Sequence, residues 1–145
     1  MENILIAIDF HEKTEMLLDK TVALTKPHGS KLWLLHVAAP DPDFVGYDVG
    51  PQYIRDNRAG ELKKEHQWLQ KHADQLNEKG IEAEGLLIQG ATVEMILQEA
   101  DKLHIDLIVS GYHNHSSLYN TFFGSTSTSI IHKSSIPVLI VPFGA

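Results

Sequence analysis

The chain has 145 residues, 43% of them hydrophobic and 21% charged, and carries a formal net charge of -7. That size and apolar fraction suit one globular domain spanning 1–145 and exclude a disordered chain, which could not bury enough apolar surface to offset its conformational entropy. The acidic balance without a Lys/Arg run argues against nucleic acid as a partner, and the lack of cysteine excludes disulfides, thiolate metal sites and a Cys nucleophile.

No apolar stretch approaches the roughly 20 residues that a membrane span needs. Met1-Glu2-Asn3 leads straight into a strand pattern without a basic and apolar leader, so a cytoplasmic location is expected. Ile4 to Ile8 is a continuous apolar run ending at Asp9, the pattern of a strand buried on both faces. Leu17, Thr21 and Leu24 then repeat at helical spacing until Lys26-Pro27-His28-Gly29 breaks the pattern. Leu32 to Val37 reads as the second strand, with His36 as a hydrogen-bonded core histidine, and dissolves into a Pro- and Gly-rich loop from Pro40 to Pro51.

A long amphipathic helix follows, with Leu62, Leu69 and Leu76 in heptad spacing, His66 and Ala73 on the same face, and Gly80 as its stop. Glu61, Lys63, Lys64 and Glu65 read as its solvated face. Ile81 to Gln89 is a third strand, Gly90 a turn, and Val93, Ile96, Leu97, Ala100 and Leu103 the stripe of a third helix. Asp106 to Ser110 is a fourth strand. Ser127, Ile130 and Ile131 mark a short last helix, and Ile136 to Val141 a fifth strand.

Strands alternating with helices imply an α/β fold, a parallel sheet with helices on both faces. Ligands of such sheets sit beyond the carboxyl ends of the strands, which directs attention to Asp9, Val37, Gly90 and Gly111. The segment from Gly111 to Thr126 leaves a strand and enters a helix without one Asp, Glu, Lys or Arg, while Ser, Thr, Asn and His are dense. An anion there would meet hydroxyls and the unpaired N–H groups of a helix start, and Gly124 would admit a phosphate close to the backbone, with Ser125 and Thr126 adding donors. The competing reading of Gly124-Ser125 is a plain turn and helix cap.

The spacing Gly111, two residues, Asn114, nine residues, Gly124-Ser125 resembles the nucleotide signature of universal stress proteins, with Asn114 where the family's second glycine stands. The likeness extends along the chain, through Ile4 to Phe10, Leu34-Leu35-His36-Val37, Gly90 and the ending Ser135 to Pro142. Asn tolerates positive φ better than other non-glycine residues, so the loop can keep its path.

The resemblance implies a Rossmann-like single domain of five parallel strands in the order 3-2-1-4-5. It implies binding of ATP, ADP or AMP, with Asp9 near the nucleoside, Val37 reading the adenine edge through its backbone, and Gly90 close to the ligand. Gly111 and Asn114 would flank ribose and phosphates, and Gly124, Ser125 and Thr126 would hold the phosphate tail. The candidate binding residues are therefore Ala7, Ile8, Asp9, Val37, Gly90, Ser110, Gly111, His113, Asn114, Gly124, Ser125 and Thr126. His113 is either a pH-sensitive phosphate contact or a solvated loop histidine. Asp9 is also a candidate for Mg²⁺.

No Walker loop, Gly-x-Ser-x-Gly elbow or placed pair of carboxylates is present, so binding rather than catalysis is expected, with no catalytic residue. The expected protein is a stress-response regulator in which nucleotide occupancy is a switch read by a protein partner. The alternatives are a dimeric interaction protein that has lost the ligand, and a slow ATPase. The last strand reads as a sheet edge and is expected to pair in a homodimer.

Overall fold

The computed structural model describes residues 1–9, 12–39, 52–112 and 120–144, with side chains from 56 onward in the second helix and from 126 onward in the last. In chain order the elements are β1 (Asn3–Ala7), α1 (Thr14–Thr25) closed by a 3-10 turn (Lys26–His28), β2 (Lys31–Ala38), α2 (Gln52–Glu78), β3 (Ala83–Gln89), α3 (Thr92–Lys102), β4 (Leu107–Tyr112), α4 (Asn120–Lys133) and β5 (Val138–Pro142). The strands form one parallel sheet in the order β3-β2-β1-β4-β5. β1 is central, with Ala7 opposite Leu35 on one side and Ser110 on the other.

Because side chains alternate across a strand, successive residues of the apolar runs serve opposite faces. Ile4, Ile6, Ile8, Leu32, Leu34 and Val109 pack against Leu17 and Leu18 of α1 and Leu69, Ala73 and Leu76 of α2. Leu5, Leu35 and Ile108 face the other way, onto Ile96 and Ala100 of α3 and Ile130 of α4. Two cores on the two faces explain why the central strands carry unbroken hydrophobic runs: Ile4, Leu5, Ile6, Leu32, Leu34 and Ile108 are fully buried. Among the described residues no helix is long and apolar enough to cross a membrane.

Gly80 stops α2 in the left-handed region, φ 80°, where only glycine is unstrained. Several element limits and faces differ from the sequence expectation. Leu24, at helical spacing with Leu17, is 57% exposed, and Ile131 is 54% exposed. His66 points to solvent while Glu65, read as a solvated residue, turns partly inward. β4 continues through Gly111 and Tyr112, paired with Val141 and Pro142, instead of ending at Ser110. α4 starts at Asn120 and is a full helix, not a short one.

Candidate functional site

The chain leaves β1 toward β2 and β3 on one side and returns to β4 and β5 on the other, so the crossovers diverge at the carboxyl ends of β1 and β4. A cleft of about 310 Å³ opens there, a size within the roughly 300–1,000 Å³ range of small-molecule sites. Its floor is made by Ala7, Ile8 and Asp9 after β1, Leu35, His36 and Val37 of β2, and Ser110 and Gly111 of β4. Thr14 and Leu17 of α1 form one wall, and Thr92 and Ile96 of α3 with Thr126 and Ser127 of α4 form the other. Phe143, just past β5, closes the side.

The polar groups of this cleft are mostly neutral hydroxyls. Ser110 and Ser127 are buried, their Oγ atoms 3.1 Å apart, and both reach the carbonyl of Gly111, at 3.4 and 3.2 Å. Thr14, 4% exposed, donates its hydroxyl to the Asp9 carbonyl at 3.2 Å and fixes the turn from β1 toward α1. The Asp9 residue itself is exposed at the mouth. It is the one carboxylate among the described lining residues, and no lysine or arginine lines the cleft among them.

His36 is hydrogen-bonded, as the sequence reading expected, and it also faces the cleft. Its Nδ1 lies 2.8 Å from the carbonyl of Ile8, an acceptor only, so Nδ1 carries the proton and donates. Its Nε2 stands 3.9 Å from Oε2 of Glu65 on α2, and the ring also lines the cleft. The hydrogen bond ties β2 to the segment after β1, beyond the backbone bond from Ile8 N–H to the Leu35 carbonyl at 2.8 Å.

Gly111 illustrates a close approach. A Cβ built there would lie 2.1 Å from Cζ of Phe143, so only glycine lets that ring lie against β4. Phe143 is held in turn by its N–H, which donates to the Tyr112 carbonyl at 2.9 Å.

Of the candidate residues, Ala7, Ile8, Asp9, Val37, Ser110, Gly111 and Thr126 converge on this cleft. Gly90 does not line it. It ends β3, two strands from β1, at φ 149°, and a Cβ there would meet Met95 Cγ at 2.8 Å. Gly124 and Ser125 lie in the second turn of α4, where a helix satisfies its own N–H groups, because the helix begins four residues earlier than the Gly124 reading assumed. His113 and Asn114 lie outside the described residues. Thr14, Thr92, Ser127 and Phe143 were missed. They come from four segments, and no spacing in the chain links them.

A sequence profile of the Universal stress protein family matches residues 1–142. Universal stress protein YxiE of Bacillus subtilis is 32% identical over 142 residues, covering 94% of this chain and 96% of that protein. Two solved structures share the fold. A universal stress protein in complex with cAMP has a TM-score of 0.71 at 18% identity, over 99% of this chain and 98% of that one. An Arabidopsis thaliana protein of the family with AMP bound has a TM-score of 0.70 at 18% identity, over 100% of this chain and 94% of that one.

Proposed function

Because the chain belongs to the universal stress protein family, we propose that the cleft at the ends of β1 and β4 binds an adenine nucleotide, and that its occupancy regulates what the protein engages. The observation that carries this reading is the cleft itself, a pocket at the reversal of strand order in which a carboxylate, five hydroxyl side chains and an imidazole surround an apolar floor. The AMP and cAMP complexes of the two structural neighbours support the ligand class.

In the proposed complex the base lies over Val37 on the β2 side and the Asp9 carboxylate accepts from ribose hydroxyls, the role an acidic group plays at the end of a strand in nucleotide folds. The phosphates extend over Ser110, Gly111 and Thr126 toward the start of α4. The hydroxyls of Ser110 and Thr126 bind them there without a fixed cation. When the ligand is ATP, Mg²⁺ offsets repulsion between Asp9 and the phosphate charge. His113, Asn114, Gly124 and Ser125 complete the phosphate side, while Gly90 acts only by shaping the turn into α3.

The site binds its ligand rather than turning it over: among the described lining residues no general base stands by Ser110, Gly111 and Thr126. The protein acts in the cytoplasm as a homodimer joined through β5, an edge strand of the sheet. The energy of the switch is the difference in nucleotide affinity between the two states, recognised by a regulatory protein partner.

Calorimetry with ATP, AMP, cAMP and GTP in Mg²⁺ tests the reading, together with nucleotide analysis of the protein as purified. Adenine nucleotides are expected to bind and GTP to bind at least tenfold more weakly. Equal affinity for ATP and GTP overturns the adenine assignment. No binding of any at millimolar concentration leaves an interaction protein of this fold without a ligand, and phosphate release from bound ATP makes it a slow ATPase.

A further inference from the structure

We propose that His36 and Thr14 are positioning residues of the cleft, which aim the Asp9 carboxylate at the ribose by clamping the backbone on both sides of it. The inference rests on the nucleotide reading of the cleft. β1 ends at Ala7, so Ile8 and Asp9 lie past the last residue of the strand. Two side chains from other elements hold them there. His36 Nδ1, on β2, donates to the Ile8 carbonyl at 2.8 Å, and the Thr14 hydroxyl, on α1, donates to the Asp9 carbonyl at 3.2 Å. All four residues line the cleft, and Asp9 is the exposed one among them.

A peptide group is planar, so the Ile8 carbonyl and the Asp9 N–H belong to one rigid unit and the Asp9 carbonyl belongs to the next. With both planes pinned, the two soft dihedrals of Asp9 are fixed, and with them the direction of its Cα–Cβ bond. The Ile8 N–H, which donates to the Leu35 carbonyl at 2.8 Å, secures the near side. The His36 ring is itself confined from behind by α2, where Glu65 Oε2, a buried oxygen without a hydrogen bond, stands 3.9 Å from Nε2. The Thr14 hydroxyl proton and the Nδ1 proton of His36 are both committed to the chain, so their effect on a ribose passes through Asp9. A carboxylate aimed in advance loses less freedom on binding, and such preorganisation strengthens a contact without adding a new one.

Calorimetry with ATP and 2′,3′-dideoxy-ATP in Mg²⁺ separates aiming from plain structural support, since only ATP carries the ribose hydroxyls from which Asp9 accepts. The parent chain is expected to prefer ATP roughly ten- to a hundredfold, as suits hydrogen bonds to a charged acceptor. In His36→Leu and in Thr14→Val that preference is expected to shrink to about threefold or less, through weaker binding of ATP with dideoxy-ATP little changed. Melting curves check that both variants fold. Thr14→Val replaces the hydroxyl by a methyl of the same shape, and it carries the test if His36→Leu does not fold. His36→Asn, whose amide can donate from near the Nδ1 position, and Thr14→Ser, which keeps the hydroxyl, are expected to recover most of the preference. A preference that survives in either folded loss variant overturns that residue's part, and equal weakening of both ligands overturns the aiming. A parent that binds the two nucleotides equally overturns this inference and leaves the nucleotide reading standing, whereas a parent that binds neither overturns both.

Discussion

The two ends of the sheet are built from similar residues and use them differently. At the amino end, polar groups are consumed by the chain itself: Asp106 Oδ2 accepts from the N–H groups of Glu2 and Asn3 at 2.7 and 3.0 Å, and Trp33 Nε1 donates to Asn3 Oδ1 at 3.1 Å. Ser30 donates its hydroxyl to the Met1 carbonyl at 2.8 Å, and Lys31 lies 3.8 Å over the Trp33 ring while bonding Glu84 at 3.0 Å. At the carboxyl end the same types of group surround a cleft, with Asp9 exposed at its mouth and threonine and serine hydroxyls on its walls. The crossovers explain the asymmetry: they separate only at the carboxyl ends, beside β1, so a gap opens there and the opposite end closes. One end is closed by its own polar contacts and the other leaves a cleft open.

The strongest way to break that division is Gly111→Val, which places atoms where the Phe143 ring now lies, 2.1 Å from the first added carbon. Ring and strand cannot both stay, so stability is expected to fall by about 1–3 kcal/mol, the usual cost of overpacking, and nucleotide binding to be lost. Melting curves and calorimetry measure the two effects, and adding Phe143→Ala is expected to restore stability in part.

Ser127→Ala is a gentler probe of the same end. It removes one donor to the Gly111 carbonyl but leaves the Ser110 hydroxyl beside that carbonyl at 3.4 Å. About 1 kcal/mol of stability is expected to go, read from urea unfolding. Nucleotide affinity should fall by at most roughly tenfold, as suits one hydrogen bond.

The smallest expected effect comes from the amino end. Asp106→Asn keeps an acceptor oxygen and loses only the charge, so a slight fall in melting temperature is expected with nucleotide affinity unchanged. Here pH sharpens the comparison. The backbone N–H groups of Asn3 and Glu2 hold the Asp106 carboxyl below its ordinary value of 3.8. The unfolded chain therefore binds the proton first, and the contribution is complete above pH 3.8 and lost as pH falls through the lower folded value. The gap between parent and variant should close in strong acid. A gap that widens there would contradict the clamp.

Much of this architecture was legible in the chain because the signals are local. Apolar runs of strand length alternating with 3.6-residue stripes specify the β/α order, and Gly80 marks a helix stop that its positive φ explains. Asp9, Val37, Ser110 and Gly111 were found because strand ends can be read from where apolar runs stop. The misses have a common cause. Leu24 and His66 fit a helical stripe, yet the phase of that stripe against the sheet depends on how each helix lies on it, and both face water. The first turn of α4, Asn120-Thr121-Phe122-Phe123, is followed by Gly124 and a run of Ser and Thr that reads as loop, so the first residue of the helix was placed too late.

The sequence by itself determined the family, the parallel α/β class and the strand ends at which the cleft opens, since each depends on residues close together along the chain. Tertiary structure decided which side chains complete the site. Thr14, Ser127 and Phe143 reach the cleft only because crossover helices bring segments far apart in sequence over the same strands. Such meetings are set by the packing of whole elements, which no local spacing encodes.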